Sequence, residues 1–360
     1  MSDSVSAESS NPAITALRRG VVIPACPLAL TAERRLDERR QRALCRYYAA
    51  SRAGGLAVGA HTTQFAIRNA DVGLFEPVLT LAAEEMDRAD AKREGPMVRV
   101  AGICGSTSQA VREANLARSL GYHAGLVHPG SISGPTEPQL IDHLRAVSKT
   151  IPLFGFYLQP AAGGRVLSYR FWREFVELEH VVAIKIAPFN RYQTLDVVRA
   201  VAESGRDDIA LYTGNDDNIV LDLVTPYPIM VAEERRVRRI VGGLLGHWSV
   251  WTQRAVKLHE RCRSLSERND HVPVEVLCSS VEITDCNAAF FDAANGFSGC
   301  ISGLHEVLRR QGLLEGIWCL DRSEGLSPGQ FVEIDRVCRF YPHLADDDFV
   351  KANRDSWLSG

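Results

Sequence analysis

Eight short apolar runs recur along the first two thirds of the chain, and their spacing constrains the fold more than any other feature. They are "GVVIPAC" (20–26), "GLAVGA" (55–60), "MVRVAGI" (97–103), "AGLVH" (124–128), "PLFGFY" (152–157), "VVAIKI" (181–186), "IALYT" (209–213) and "IVGGLLG" (240–246). They are near-continuous rather than alternating, as in parallel strands covered on both faces. Segments of helical character lie between them, at 36–53, 107–120, 137–149, 168–178, 190–204 and 248–262. Ser106 with Gln109, and Thr136 with Gln139, have the spacing of capping boxes at two of the helix starts. Eight strand-then-helix units over 18–262 predict an α/β fold, a (β/α)8 or TIM barrel. The interval 214–240 is read as a loop or insertion, because "TPYP" interrupts it. Within it, "EERRVRR" (233–239) reads as a solvated helix or loop face. Residues 1–17 are polar and small, and are expected to form a flexible arm. Residues 263–360, with helical stretches near 274–293, 296–312 and 328–340, are expected to form a C-terminal helical extension beside the barrel.

Composition narrows the function classes. A net charge of −3 leaves no electrostatic footprint for nucleic acid. Nine cysteines without a CxxC pair suit a reduced, cytoplasmic protein rather than a disulfide scaffold. The N-terminus lacks the apolar core of a signal peptide, and no apolar run approaches the ~18 residues of a membrane span, so no membrane partner is expected.

The chemistry is sought where barrels of this kind carry it, at the C-terminal ends of strands and in the loops that follow. Lys185 sits inside the apolar run "HVVAIKIAPF". A buried lysine is rare without a partner or a task. Burial lowers its pKa and makes it an amine nucleophile for carbonyl carbon. Other strand-end candidates are His61, Thr62 and Thr63 after the second run, His128 after the fourth and Tyr157 at the fifth. Gly214, Asn215, Asp216 and Asp217 follow the seventh run, and His247 the eighth.

The order of these residues resembles the dihydrodipicolinate synthase/N-acetylneuraminate lyase family. "FYLQPAAGG" (156–164) followed by "VVAIKIA" (181–187) is similar to the family's Tyr-x-x-Pro strand end and Schiff-base lysine, with Tyr157, Pro160 and Lys185 at matching positions. "GLAVGAHTTQFA", "GLVHPGSISGP" and "YTGNDD" fall where the family carries its second, fourth and seventh strand ends, and the likeness extends over roughly 18–345. The resemblance implies a class I lyase or aldolase that makes or breaks a C–C bond beside a pyruvate-like 2-keto acid, with an aldehyde as the other reactant. It implies Lys185 as the Schiff-base amine, Tyr157 as acid/base and Thr62 as relay or carboxylate contact. Beside it, His61, Thr63, Gly214, Asn215 and His247 are read as substrate-binding, and no cofactor or metal is expected because the lysine acts as the electron sink; the resemblance further implies a homo-oligomer, dimer or tetramer.

The departures from the family pattern point away from the synthase activity itself. His61, Thr63 and Gln64 replace loop residues, "GSIS" (130–133) supplies no tyrosine, and the family's arginine after Tyr-x-x-Pro falls on Ala162, with Arg165 three residues away. Two rival readings stand beside the lyase. One is a metal-dependent barrel lyase or hydrolase using His61, His128 and His247 with Asp216 or Asp217. The other is a non-catalytic barrel that binds a keto acid.

Overall fold

Each of the eight apolar runs forms a parallel strand. The computed structural model describes residues 11–129, 132, 134–268 and 271–360; most of the "GSIS" segment lies outside them. The strands are β1 (Val22–Pro24), β2 (Gly55–Val58), β3 (Val98–Ile103), β4 (Ala124–Val127), β5 (Leu153–Leu158), β6 (Val181–Ala187) and β7 (Ala210–Thr213). A hairpin of β8 (Tyr227–Val231) and β9 (Glu234–Arg238) precedes the last barrel strand, β10 (Ile240–Leu245). The sheet order is β1-β10-β7-β6-β5-β4-β3-β2. The circle closes where Ala25 bridges Ala57 and the Cys26 amide donates to the Ala57 carbonyl at 2.8 Å.

The hairpin corrects the reading of 214–240. "EERRVRR" is largely a strand paired antiparallel to β8, not a helix or loop face, and it is mostly exposed. Arg236 ties it to the barrel by donating to the Ala202 carbonyl.

Of the N-terminal arm expected over 1–17, residues 1–10 lie outside the described residues, and the described part is corrected. Pro12–Arg19 is a helix whose Ala13, Ile14 and Leu17 are buried. Asn11 caps it by accepting from the Ala13 amide at 2.9 Å, and Pro12 occupies the first turn, where its missing N–H costs nothing. This helix plugs the lower end of the barrel: Ile14 and Leu17 join Ile23, Val100, Phe154 and Tyr212 in the interior core. The Tyr212 hydroxyl donates to the Leu17 carbonyl at 2.8 Å.

At the other end of the chain, the helix Thr252–Arg268 follows the last barrel strand and runs past residue 262. Helices Val274–Phe290, Cys300–Arg310, Gln330–Phe340 and Asp347–Ser359 follow. Trp357, on the last of these, packs on Tyr47 of the helix Glu38–Ala50. Among the described residues no helix is long and apolar enough to cross a membrane.

Burial holds five histidines, His61, His123, His128, His247 and His305, down at about 4. Their folded pKa lies below the unfolded value near 6.5, so the unfolded chain takes up protons first as pH falls. The stability they contribute is complete above about pH 6.5 and is lost as pH falls towards 4, at roughly 1.4 kcal/mol per pH unit per histidine. Asp216, Asp217, Glu324 and Asp346, whose pKa values are raised by burial, act in the opposite sense and offset part of this loss. The melting temperature should therefore fall steeply between pH 6.5 and 4.5, before ordinary carboxylates titrate; a flat Tm across that window contradicts this.

Candidate active site

The mouth of the barrel holds a cleft of about 700 Å³ of empty space, partly open to solvent. Lys185 stands in its wall. Successive side chains of a strand alternate between faces. On β6, Ala183 and Ala187 turn into the barrel interior while Ile184 and Ile186 turn out to the surrounding helices, so Lys185 turns in. The lysine is 8% exposed, and its Nζ lies 4.3 Å from the centre of the Phe156 ring. Gly214, on the neighbouring strand end, makes room for it: a Cβ there would meet Lys185 Cε at 2.6 Å. Burial lowers the Lys185 pKa to about 8, against the opposing pull of Asp216 and of Cys300.

Asp216 lines the same cleft. Burial raises its carboxyl to about 7, although the His247 amide, which donates to Oδ1 at 3.0 Å, and the charge of Lys185 both pull it down. The loop that carries it is fixed from behind by Asp222, which is fully buried and accepts from the Thr213 hydroxyl and from the Asn215 and Asn218 amides. The Asp216 carbonyl accepts from Asn287 of the C-terminal region. An amine and a carboxyl of perturbed pKa therefore face one cavity, the pattern of acid–base sites.

Tyr157 does not face that cavity. Its ring lies beside Trp172 among the outer helices, and its hydroxyl donates to the Leu167 carbonyl at 3.1 Å and accepts from the Leu167 amide. The cause is a shift of register. Leu153 pairs with Val181, 28 residues on, but a one-residue irregularity in β6 pairs Phe154 with Ala183, and from there the offset is 29. Phe156, not Tyr157, becomes the neighbour of Lys185, and a slip of one residue turns a strand's side chains to the opposite face. Replacing Tyr157 by Phe should cost about 1–3 kcal/mol of stability, because Leu167 loses a buried partner. It should change the reaction rate of the site by less than about threefold, since the hydroxyl touches nothing in the cleft; a hundredfold loss of rate contradicts this placement.

The remaining candidates divide. Thr62 and His61 line the cleft, on the short turn His61–Thr63 after β2. Burial, with the charge of Lys185, keeps the His61 imidazole neutral at pH 7. Thr63 does not reach the cleft: it is fully buried, its hydroxyl donating to the Cys26 carbonyl and accepting from the Gly59 amide. Asn215 is also a brace rather than a substrate contact. Its Oδ1 accepts from the Phe189 amide at 3.0 Å and its Nδ2 donates to Asp222. The His247 ring stacks on Phe290 and is not among the described residues that line the cleft; its backbone amide holds Asp216. Gly214 lines the cleft. The His128 ring stacks on Phe65 and its Nε2 meets the Gly163 carbonyl. Among the described residues no three His, Cys, Asp or Glu side chains converge as a metal-holding group, so the histidine-based metal reading has no donor set to rest on.

Several residues of the cleft, among them Phe156, Phe189, Phe291, Phe297 and Cys300, were not singled out by sequence reasoning. Phe156 was hidden beside the more suggestive Tyr157. Cys300 opens the helix Cys300–Arg310 and reaches the cleft from 115 positions beyond the lysine, with no local motif to mark it. Burial and the charge of Asp216 raise its thiol, so it stays protonated near neutrality.

The comparisons with known proteins agree with this architecture. The model of the dihydrodipicolinate synthetase family matches residues 21–225. The chain is 26% identical to the 4-hydroxy-tetrahydrodipicolinate synthase of Acaryochloris marina over 181 residues, 47% of this chain and 59% of that protein. It is 29% identical to the Clostridium novyi protein of the same name over 116 residues, 32% of this chain and 38% of that one. The chain thus spans little more than half, or less, of the curated relatives it matches. Among solved structures it is similar to dihydrodipicolinate synthase from Oceanobacillus iheyensis, at 16% identity and a TM-score of 0.71, over 92% of this chain and 99% of that one. It is also similar to N-acetylneuraminate lyase from Fusobacterium nucleatum complexed with pyruvate, at 15% identity and a TM-score of 0.67, over 90% and 98%. These low identities establish a shared fold. The family match, in contrast, runs from β1 through the loop and helix after β7, more than half of the chain, and on that ground the protein belongs to the dihydrodipicolinate synthetase family.

Proposed function

We propose that the protein is a class I, aldolase-type lyase in which Lys185 forms a Schiff base with a pyruvate-like 2-keto acid. Family membership supports the lyase class. The observation that carries the finer reading is the buried Lys185 amine, open to a cavity and sharing it with the Asp216 carboxyl. With a pKa of about 8, roughly a tenth of the amine is neutral at pH 7, against on the order of 0.03% for an unperturbed lysine.

In this reading neutral Lys185 attacks the keto carbon, and the carbonyl oxygen becomes the hydroxyl of a carbinolamine. Asp216 in its acid form gives that hydroxyl a proton, and water leaves as the C=N bond forms. The resulting carboxylate then removes a proton from the adjacent carbon and the iminium takes up the electron pair, giving an enamine. The enamine carbon bonds to an incoming aldehyde, and the aldehyde oxygen takes the proton back from Asp216. The keto acid's own carboxylate fits the Thr62 hydroxyl and the leading amides of the His61–Thr63 turn, which have no carbonyl of their own turn to bind.

A phenylalanine, Phe156, stands where a phenol would relay protons beside the amine, and Ala162 lines the cleft where the synthases' arginine is expected. Both support a reaction other than dihydrodipicolinate synthesis, with Asp216 as the proton carrier.

The productive form of the pair holds one proton between amine and carboxyl. Below about pH 7 both are protonated and the amine is silent; above about pH 8 no acid remains. The test is exchange of the pyruvate methyl protons in D2O, followed by NMR, which needs no knowledge of the aldehyde. Exchange should be catalysed, with a bell-shaped profile centred near pH 7.5. Absence of catalysed exchange at any pH in that range contradicts the proposal.

A further inference from the structure

Besides Phe156, three phenylalanines line the cleft: Phe189, Phe291 and Phe297. Two of them hold backbone conformations that bulky side chains rarely adopt. Phe189 has φ of 51° and Phe297 has φ of 70°. Such left-handed residues persist only where their surroundings fix them, and they cluster at functional sites. Both are fixed here. The buried Asn215 accepts from the Phe189 amide at 3.0 Å. The Phe297 amide donates to the carbonyl of Asp292, itself left-handed at 57°. The Asp292 carboxylate is 3% exposed and accepts from the Gly299 amide, the Ser327 hydroxyl and Asn295. The outcome is one edge-to-face pair, Phe189 on Phe297, with ring centres 5.8 Å apart, contributed by a barrel loop and a C-terminal loop.

The rest of this wall is equally uncharged. Leu158, Ala161, Ala162 and the neutral amide of Gln159 line it, and Arg165 is turned away to donate to the Pro135 carbonyl. Lys185 and Asp216 are the charge-bearing side chains among the described lining residues, and the lyase reading commits both to the keto acid. No lining cation is left for a second carboxylate, and a carboxylated aldehyde would have to shed its hydration against aromatic rings.

We propose that the aldehyde partner of this site is an apolar, aromatic aldehyde, and that Phe189 and Phe297 determine that specificity. The inference rests on the Schiff-base reading and adds the identity of the second reactant. In the condensing direction the enamine carbon bonds to the aldehyde carbon. The C=O π pair moves to oxygen, which takes the Asp216 proton, and water then hydrolyses the iminium to release the hydroxylated keto acid. The aromatic substituent stacks against the Phe189–Phe297 pair and gains the apolar and edge-to-face contacts such rings offer.

The experiment supplies pyruvate with benzaldehyde, acetaldehyde or succinic semialdehyde, and measures kcat/KM for each by chromatography of the product. Benzaldehyde should exceed succinic semialdehyde by at least about 100-fold, on the scale by which unpaired buried charge is rejected. In Phe189→Ser the ratio of benzaldehyde to acetaldehyde should fall by about 10-fold or more; Phe297→Leu, which keeps an apolar side chain, supplies the same reading should the first variant fail to fold. Equal or better use of succinic semialdehyde, or a ratio unchanged in the folded variants, overturns the inference. Pyruvate methyl exchange in the same samples separates the two failures. Exchange without aromatic preference sinks this inference alone, whereas no exchange and no product sinks the Schiff-base reading and this inference with it.

Discussion

Lys185→Ala should lower catalysed pyruvate exchange by about 10⁴- to 10⁶-fold, the scale seen when a covalent nucleophile is removed. The effect is large because nothing else in the cleft can replace the amine: Cys300 is a protonated thiol, and His61 is a neutral imidazole that cannot carry the C=N bond. The protein should still fold. The lysine is held by a ring contact with Phe156 rather than by a hydrogen-bonded network, and its removal leaves open cleft rather than a closed void. Lys185→Arg should be as inactive as the alanine variant, since a guanidinium keeps its charge at any pH the protein survives. Exchange within tenfold of the parent in either variant would assign the chemistry to another group.

Asp216→Asn should lower exchange by about 10²- to 10⁴-fold, the usual worth of a positioned acid–base group. The substitution is conservative in shape, and the amide oxygen can still accept from the His247 N–H. What it removes is the proton and the negative charge. Loss of that charge lets the Lys185 pKa fall further, so more of the amine is neutral, not less. The variant therefore separates two roles. If Asp216 merely tuned the lysine, exchange at pH 7 would rise; if it carries protons, exchange falls at every pH and the bell shape disappears. We expect the second outcome.

The barrel was legible because each strand is covered on both faces and is therefore apolar almost throughout. "VVAIKI" and "IALYT" need no periodicity to be recognised, only punctuation between them. Lys185 was legible for the complementary reason, as a cation where such a run admits none without a role. The parity of β5 was not. Tyr157 and Phe156 are adjacent, and which of them faces the lysine depends on an irregularity near Val182 that leaves no mark in residue type. Thr63 and Asn215 were read as substrate contacts because polar residues at strand ends invite it, yet both are consumed in bracing loops. Their value to the site is indirect, as Asn215 shows by fixing Phe189. The helix Pro12–Arg19 lay inside a stretch read as an arm on its polar, small-residue composition, although Asn11 and Pro12 are residues that favour a helix start. The contribution of the C-terminal loops, Phe297 and Cys300, rests on contacts across more than 100 residues that no local pattern encodes.

The most direct measurement is reductive trapping. The protein is incubated with pyruvate and borohydride, digested, and mapped by mass spectrometry. The chain offers an internal control, because its other lysines, Lys92, Lys149, Lys257 and Lys351, are all exposed. The account predicts one dominant reduced pyruvate adduct, on the peptide containing Lys185, dependent on pyruvate and absent from Lys185→Arg. An unmodified Lys185, or labelling spread over the exposed lysines at comparable levels, would contradict it.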